Sequence, residues 1–167
     1  SLTAVSEFGC EGTTTETIIV FPTPVADFMS DTQGLCAGGA IFLVDDSYVD
    51  DPSSLAQWQW YVGGIPAGNS QNLSYTFTDA GDYTISLFVT SNAGCVGDTS
   101  MQNFIEIWPN PVADFSTSIS DSDLQNTTIV FTDESVNAQN WEYDFGDGSW
   151  GVGPDTEHTF PHYGVYD

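Results

Sequence analysis

Four aspartates stand where their carboxylates could do chemistry. Asp144 and Asp147 share the stretch Trp141-Glu-Tyr-Asp-Phe-Gly-Asp-Gly148, whose glycine-flanked turn brings oxygens close together. Asp27 and Asp114 occupy the same place in two copies of one heptapeptide, Pro22-Thr-Pro-Val-Ala-Asp-Phe28 and Pro109-Asn-Pro-Val-Ala-Asp-Phe115. Carboxylates are hard oxygen ligands of the kind Ca²⁺ takes, which makes these four the candidate metal ligands and Ca²⁺ the candidate cofactor. The same residues have a structural reading: Asp144 accepts hydrogen bonds from nearby backbone or from Thr159, and Gly146 and Gly148 supply the positive φ of a tight turn.

Catalytic patterns are absent from the sequence. His158 and His162 are four apart in strand and turn, without the single helical face of a metal pair. No Gly-x-Ser-x-Gly elbow, phosphate loop or zinc-hydrolase motif occurs, and no carboxylate is singled out as a general acid. The expectation is a chain that is not an enzyme.

Charge narrows the partners. With 24 acidic residues and no Lys or Arg, the net charge is −24. Such a field repels phosphate, excluding nucleic acid and anionic membrane surfaces as expected partners. No apolar run approaches the ~18–20 residues of a membrane span. Trypsin has no site to cut.

Three cysteines, Cys10, Cys36 and Cys95, show none of the CxxC spacing of structural zinc. Cys36 and Cys95 fall within one repeat and are the candidate disulfide. Closing that loop would add roughly 4 kcal/mol in the chain-entropy model and imply an extracellular setting. Cys10 is left over. Asn72-Leu-Ser and Asn126-Thr-Thr fit the N-glycosylation pattern, so glycans are candidate partners at Asn72 and Asn126.

The elements that position these residues are strands. Apolar runs at 25–29, 40–44, 57–62, 73–78, 83–90 and 101–108 are separated by Gly, Pro, Asn, Asp and Ser, and no segment keeps a 3.6-residue period. Seven or so short strands in under 90 residues point to an all-β immunoglobulin-like sandwich. Trp58 and Trp60, like Trp141 and Tyr143, lie two apart, on one side of a central strand facing the core. Residues 1–21 read as a hairpin, with strands at 2–6 and 15–21 around a Gly9-Cys-Glu-Gly12 turn.

The heptapeptide copies begin 87 residues apart, a domain-sized period. Residues 22–108 form one complete unit. Residues 109–167 repeat its plan and stop two strands short. Those strands are found at the other end: joining Asp167 to Ser1 continues the pattern of 81–108 through Gly9-Cys10 to Phe21. We therefore expect sandwiches cut out of register, the last domain being completed by the N-terminal hairpin of a next copy. Either the copies are covalently continuous, or residues 1–21 of one subunit complete the last domain of its neighbour.

At Trp141-Glu-Tyr-Asp-Phe-Gly-Asp-Gly148, with Pro-Val-Ala-Asp-Phe before it and His158-Thr-Phe160 and Gly164-Val-Tyr166 after it, the chain resembles the polycystic-kidney-disease-type (PKD) domain. Residues 22–108 are a divergent relative, since Trp58-Gln-Trp-Tyr-Val-Gly-Gly64 lacks both motif aspartates. The resemblance implies non-catalytic β-sandwich modules of large extracellular proteins, often in tandem on bacterial or archaeal surfaces. The function expected is a stiff surface filament, fibre or adhesin stalk, with copies of the chain as partners end to end. A carbohydrate-binding accessory module of a secreted hydrolase, using exposed aromatics such as Trp150 or Tyr61, is the alternative.

Overall fold

The computed structural model describes residues 1–118 and 128–167. All of its fifteen regular elements are strands. They divide between a first unit, residues 1–78 and 82–107, and a second, residues 79–81 and 108–167.

The first unit is a sandwich of two sheets. One has the order β3 (Phe28–Ser30), β5 (Ala40–Asp45), β8 (Leu73–Thr76). The other has the order β4 (Gly34–Cys36), β10 (Val96–Trp108), β9 (Gly81–Ser91), β6 (Leu55–Val62), β7 (Ile65–Gly68). Alternate residues point inward, as a sheet covered on one face requires. In β9 these are Ile85, Leu87 and Val89, and in β5 they are Ile41 and Leu43. Trp60 is the largest side chain completely removed from solvent; Phe28 packs edge-on to it, with ring centroids 5.4 Å apart. The Trp60 indole N–H donates to the Ser70 carbonyl at 2.9 Å, so burial leaves no orphaned donor.

Two strands lie where the sequence reads as turn. Ile65–Gly68 was expected to belong to a Gly- and Pro-rich connection, yet only Gly63-Gly64 turns, both at positive φ, and β7 follows. Pro66 is tolerated there because β7 is an edge strand. β4 is three residues long, too short for a periodic signal.

Residues 1–21 differ from the expected hairpin. β1 (Leu2–Val5) pairs with β2 (Glu11–Thr14), not with 15–21, and the turn closes between Ser6 and Cys10. Residues 15–21 carry no strand, and Ile18, Ile19 and Val20 are exposed. The shift has a local cause: Gly9, at φ +79°, ends the turn early and lets Glu11 begin pairing. β1 and β2 form a sheet of their own and are exposed along their whole length.

The second unit repeats the first with less of it. The sheet β11 (Phe115–Thr117), β12 (Thr128–Asp133), β15 (Thr156–Thr159) matches β3–β5–β8 in register. Phe115 faces Asp133 as Phe28 faces Asp45, and Thr128 faces Thr159 as Ala40 faces Thr76. β13 (Glu142–Asp144) and β14 (Trp150–Val152) match β6 and β7. Among the described residues nothing matches β9 or β10.

Candidate functional site in the second unit

β13 ends at Asp144 and β14 begins at Trp150, so the turn between them is built from Phe145, Gly146, Asp147, Gly148 and Ser149. Phe145 N–H closes it on the Ser149 carbonyl at 3.2 Å. Gly146 and Gly148 take φ of 75° and 90°, the positive values expected of them. Each aspartate spends an oxygen on the backbone. Asp144 Oδ1 accepts from Gly146 N–H at 3.0 Å, and Asp147 Oδ1 accepts from Ser149 N–H at 2.9 Å as well as from the Ser149 hydroxyl. Asp147 Oδ2 lies 2.7 Å from His158 Nε2. The Ser149 hydroxyl, then His158, then the Ser149 amide hold the Asp147 carboxyl down to about 2.

His158 is held from three sides. Its ring stacks on Phe145, centroids 4.2 Å apart and 6° from parallel, and meets Phe160 edge-on at 4.5 Å. Serine, histidine and aspartate together suggest a hydrolytic triad, but the geometry is different. Ser149 Oγ, at 3.4 Å, and Asp147 Oδ2 approach the same ring nitrogen, whereas a triad needs base and orienter on opposite nitrogens. The cluster fastens β15 to the β13–β14 turn.

The candidate metal ligands do not converge. Among the described residues no three His, Cys, Asp or Glu side chains group closely enough to hold a metal ion. Asp27 and Asp114 play matching local roles. Each Oδ1 accepts the next residue's N–H (Phe28 at 2.8 Å, Phe115 at 2.9 Å), and each carbonyl receives a serine hydroxyl, Ser47 or Ser135, at 3.2 Å.

Those serines were missed by the sequence reading, and a signal for them existed. Asp45-Asp-Ser47, Asp133-Glu-Ser135 and Asp147-Gly-Ser149 share the form Asp-x-Ser, and in each the serine N–H bonds the aspartate Oδ1 at 2.9–3.1 Å. Asp45 Oδ2 also receives the Trp58 indole at 2.8 Å. The Trp141 indole nitrogen is buried and close enough to Asp133 to favour its ionised form, yet makes no hydrogen bond of good geometry among the described residues. The Ser135 hydroxyl is the larger cause of the lowered Asp133 pKa. Tyr143 OH donates to the Pro154 carbonyl at 2.9 Å, and burial, with Asp133 and Asp155 nearby, pushes its pKa up.

The expected disulfide is not formed: Cys36 and Cys95, like Cys10, are free thiols. Cys36 ends β4, which runs beside the far half of β10, where Gln33 accepts from Glu106 N–H. Cys95 sits in the turn before β10 begins. At about 3.3 Å per residue the two are separated by roughly 20 Å or more of strand, beyond any disulfide's reach. Asn72 is exposed, and its Oδ1 accepts Asp45 N–H at 3.0 Å. Asn126 lies outside the described residues.

Tyr61 stands edge-on to Phe88 at 71°, and Trp150 is exposed on β14.

Among the described residues β6 is hydrogen-bonded to β7 and β9, and β13 to β14 only. Phe28 is 4% exposed and its counterpart Phe115 is 52% exposed. Phe145 is the one buried core residue that the second unit contributes among the described residues.

Two sandwiches of one plan, sharing a heptapeptide and in-register sheets, match the PKD domain over residues 22–105 and again over 108–167. The chain belongs to the PKD domain family. No curated protein matches it. Among solved structures it is similar to the PKD1 domain of Vibrio anguillarum Epp, with 29% identity over 53% of this chain and 100% of that one, at a TM-score of 0.45. It is also similar to the PKD1 domain of the Vibrio cholerae metalloprotease PrtV, with 22% identity over 50% of this chain and 98% of that one, at a TM-score of 0.42. The PKD family is one of non-catalytic modules, and here two of its domains stand in tandem.

Proposed function

We propose that these PKD domains are a structural segment of an extracellular protein, placed in series as a stiff surface filament, fibre or adhesin stalk. The observation that carries this reading is the tandem: two PKD domains of one plan follow each other across the short, two-proline joint Trp108-Pro-Asn-Pro111.

The mechanism is mechanical. Strand ladders bear load, and the Trp108-Pro-Asn-Pro joint limits bending because each proline fixes its own φ. Like charge keeps neighbouring filaments apart. The extracellular setting rests on the family, since the disulfide that would have supported it is not formed.

Small-angle X-ray scattering and negative-stain electron microscopy of the tandem test the reading. The expected result is a stiff, elongated particle with the two domains end to end. A pair that folds back on itself or swings freely about the joint would end it.

A further inference from the structure

We propose that the outward face of the β6–β9 ladder in the first PKD domain carries a groove that binds a neutral oligosaccharide. The groove encloses about 540 Å³, within the ~300–1,000 Å³ of small-ligand sites. Its walls are the amides of Gln57, Gln59, Asn69 and Gln71, the Thr90 hydroxyl and the ring of Phe88. The inference concerns the first domain alone and goes beyond the stalk reading without resting on it.

The first argument is charge. The chain carries 24 acidic residues, yet none lies between Asp51 and Asp79 or between Asp82 and Asp98. Those spans supply all of β6, β7 and β8 and all but the first residues of β9. No charged residue lines the groove among the described residues. The second domain differs: Trp141-Glu-Tyr-Asp144 stands where the first has Trp58-Gln-Trp-Tyr61. Solubility favours charge on an exposed face, so a neutral one in this chain calls for another cause. An ionic ligand finds no counter-charge in the groove, and the net charge of −24 repels anions. A neutral polar ligand meets neither obstacle.

The second argument is that the groove is held in shape. Gln59 lies across the ladder from Phe88, and Gln57 from Thr90. The Gln59 amide donates to the Trp60 carbonyl at 3.1 Å and to the Gly68 carbonyl at 3.0 Å, which fixes its plane and leaves Oε1 as its accepting end. Asp45 Oδ2 accepts both the Trp58 indole N–H at 2.8 Å and the Gln71 amide at 3.3 Å. Phe88 is 39% exposed, and Tyr61 meets it edge-on with ring centroids 5.5 Å apart. Gln57 and Asn69 are exposed and present donor and acceptor to solvent.

The third argument is the chemistry of the walls. Amides and hydroxyls donate and accept, as the hydroxyls of a sugar do, so one amide can meet two neighbouring sugar hydroxyls at once. The Phe88 ring offers an apolar surface to the C–H face of a sugar ring. A peptide suits this face less well. Extended peptides are recognised through their backbone, and the backbone groups of β6 are taken by β7 on one side and β9 on the other.

The test is affinity electrophoresis of the full chain through native gels containing dextran, laminarin, galactomannan or hydroxyethyl cellulose, with polygalacturonate as the anionic control. At least one neutral polymer should retard the chain, and added salt should leave the retardation unchanged, since no ion pair contributes. Phe88→Ala and Gln57→Glu should each weaken that binding roughly tenfold or more, while Trp150→Ala should bind as wild type. Thermal unfolding confirms that each variant is folded; Gln57 is exposed, so its substitution spares the core. Retardation by polygalacturonate alone, or by none of the polymers, would overturn the proposal. So would retardation unchanged by Gln57→Glu or Phe88→Ala, or lost in Trp150→Ala. A Gln- and Asn-rich peptide that bound where every sugar failed would make this a peptide groove instead.

Discussion

The carbonyl oxygen of Pro24 lies where a Cβ on Gly97 would have to stand. The first residues of the first domain thus pass directly over the beginning of its last strand. Gly97→Ala should destabilise that domain by about 1–3 kcal/mol, as overpacking does, because the obstacle is backbone and has little freedom to yield. Urea unfolding followed by tryptophan fluorescence measures this, and an unchanged midpoint would show that the loop simply moves aside.

Phe28 and Phe115 occupy equivalent places in unequal surroundings. Phe28→Ala should cost about 3–5 kcal/mol, the usual range for a buried phenylalanine. Phe115→Ala should cost well under half of that, because half of its surface is already in water. Equal losses would mean that Phe115 is as well covered as Phe28.

Trp58 gives its indole N–H to Asp45 Oδ2 at 2.8 Å. Trp58→Phe keeps a ring there and leaves the carboxylate one donor short, at a cost of about 1.5–3 kcal/mol. Asp45→Asn should cost at least as much, since one amide oxygen cannot replace two accepting oxygens and the amide NH2 would face either the Ser47 N–H or the Trp58 indole N–H. Thermal unfolding of the two variants provides the ranking.

Acid should act on the second domain through Asp147. Its folded pKa of about 2 lies below the ordinary aspartate value of about 3.9. Between those values the folded domain binds fewer protons than the unfolded chain, so its stability declines as pH falls from about 4 towards 2. Above that window the contribution is fully present. Asp147→Asn should lose this part of the acid dependence. Unfolding midpoints at a series of pH values, wild type against variant, should converge at the acid end.

The three thiols should all react with a thiol reagent in the native, unreduced chain, Cys10 and Cys36 ahead of the half-covered Cys95. Reducing agent should leave the melting temperature unchanged. A protected Cys36–Cys95 pair would contradict the strand order that separates them.

Much of the fold was legible in the sequence because its signals were local. Alternating apolar residues marked β5, β6, β9 and most of β10, and the heptapeptide marked the two domain starts. The edge strands were harder to see. β7 contains a proline and a glycine, and β4 and β14 have three residues each, so neither composition nor period singles them out. At the acidic turn, the glycines announced positive φ. The pairing of Asp147 with His158 spans eleven residues and depends on how β15 returns beside β12, which no spacing rule encodes. The disulfide failed for a related reason: two cysteines in one repeat say nothing about which ends of neighbouring strands they occupy.

The Ser6–Cys10 turn is closed by backbone hydrogen bonds, whereas residues 15–21 carry no strand. Amide deuteration should therefore divide the first twenty-one residues in two, with slow uptake through β1 and β2 and immediate uptake beyond Thr14.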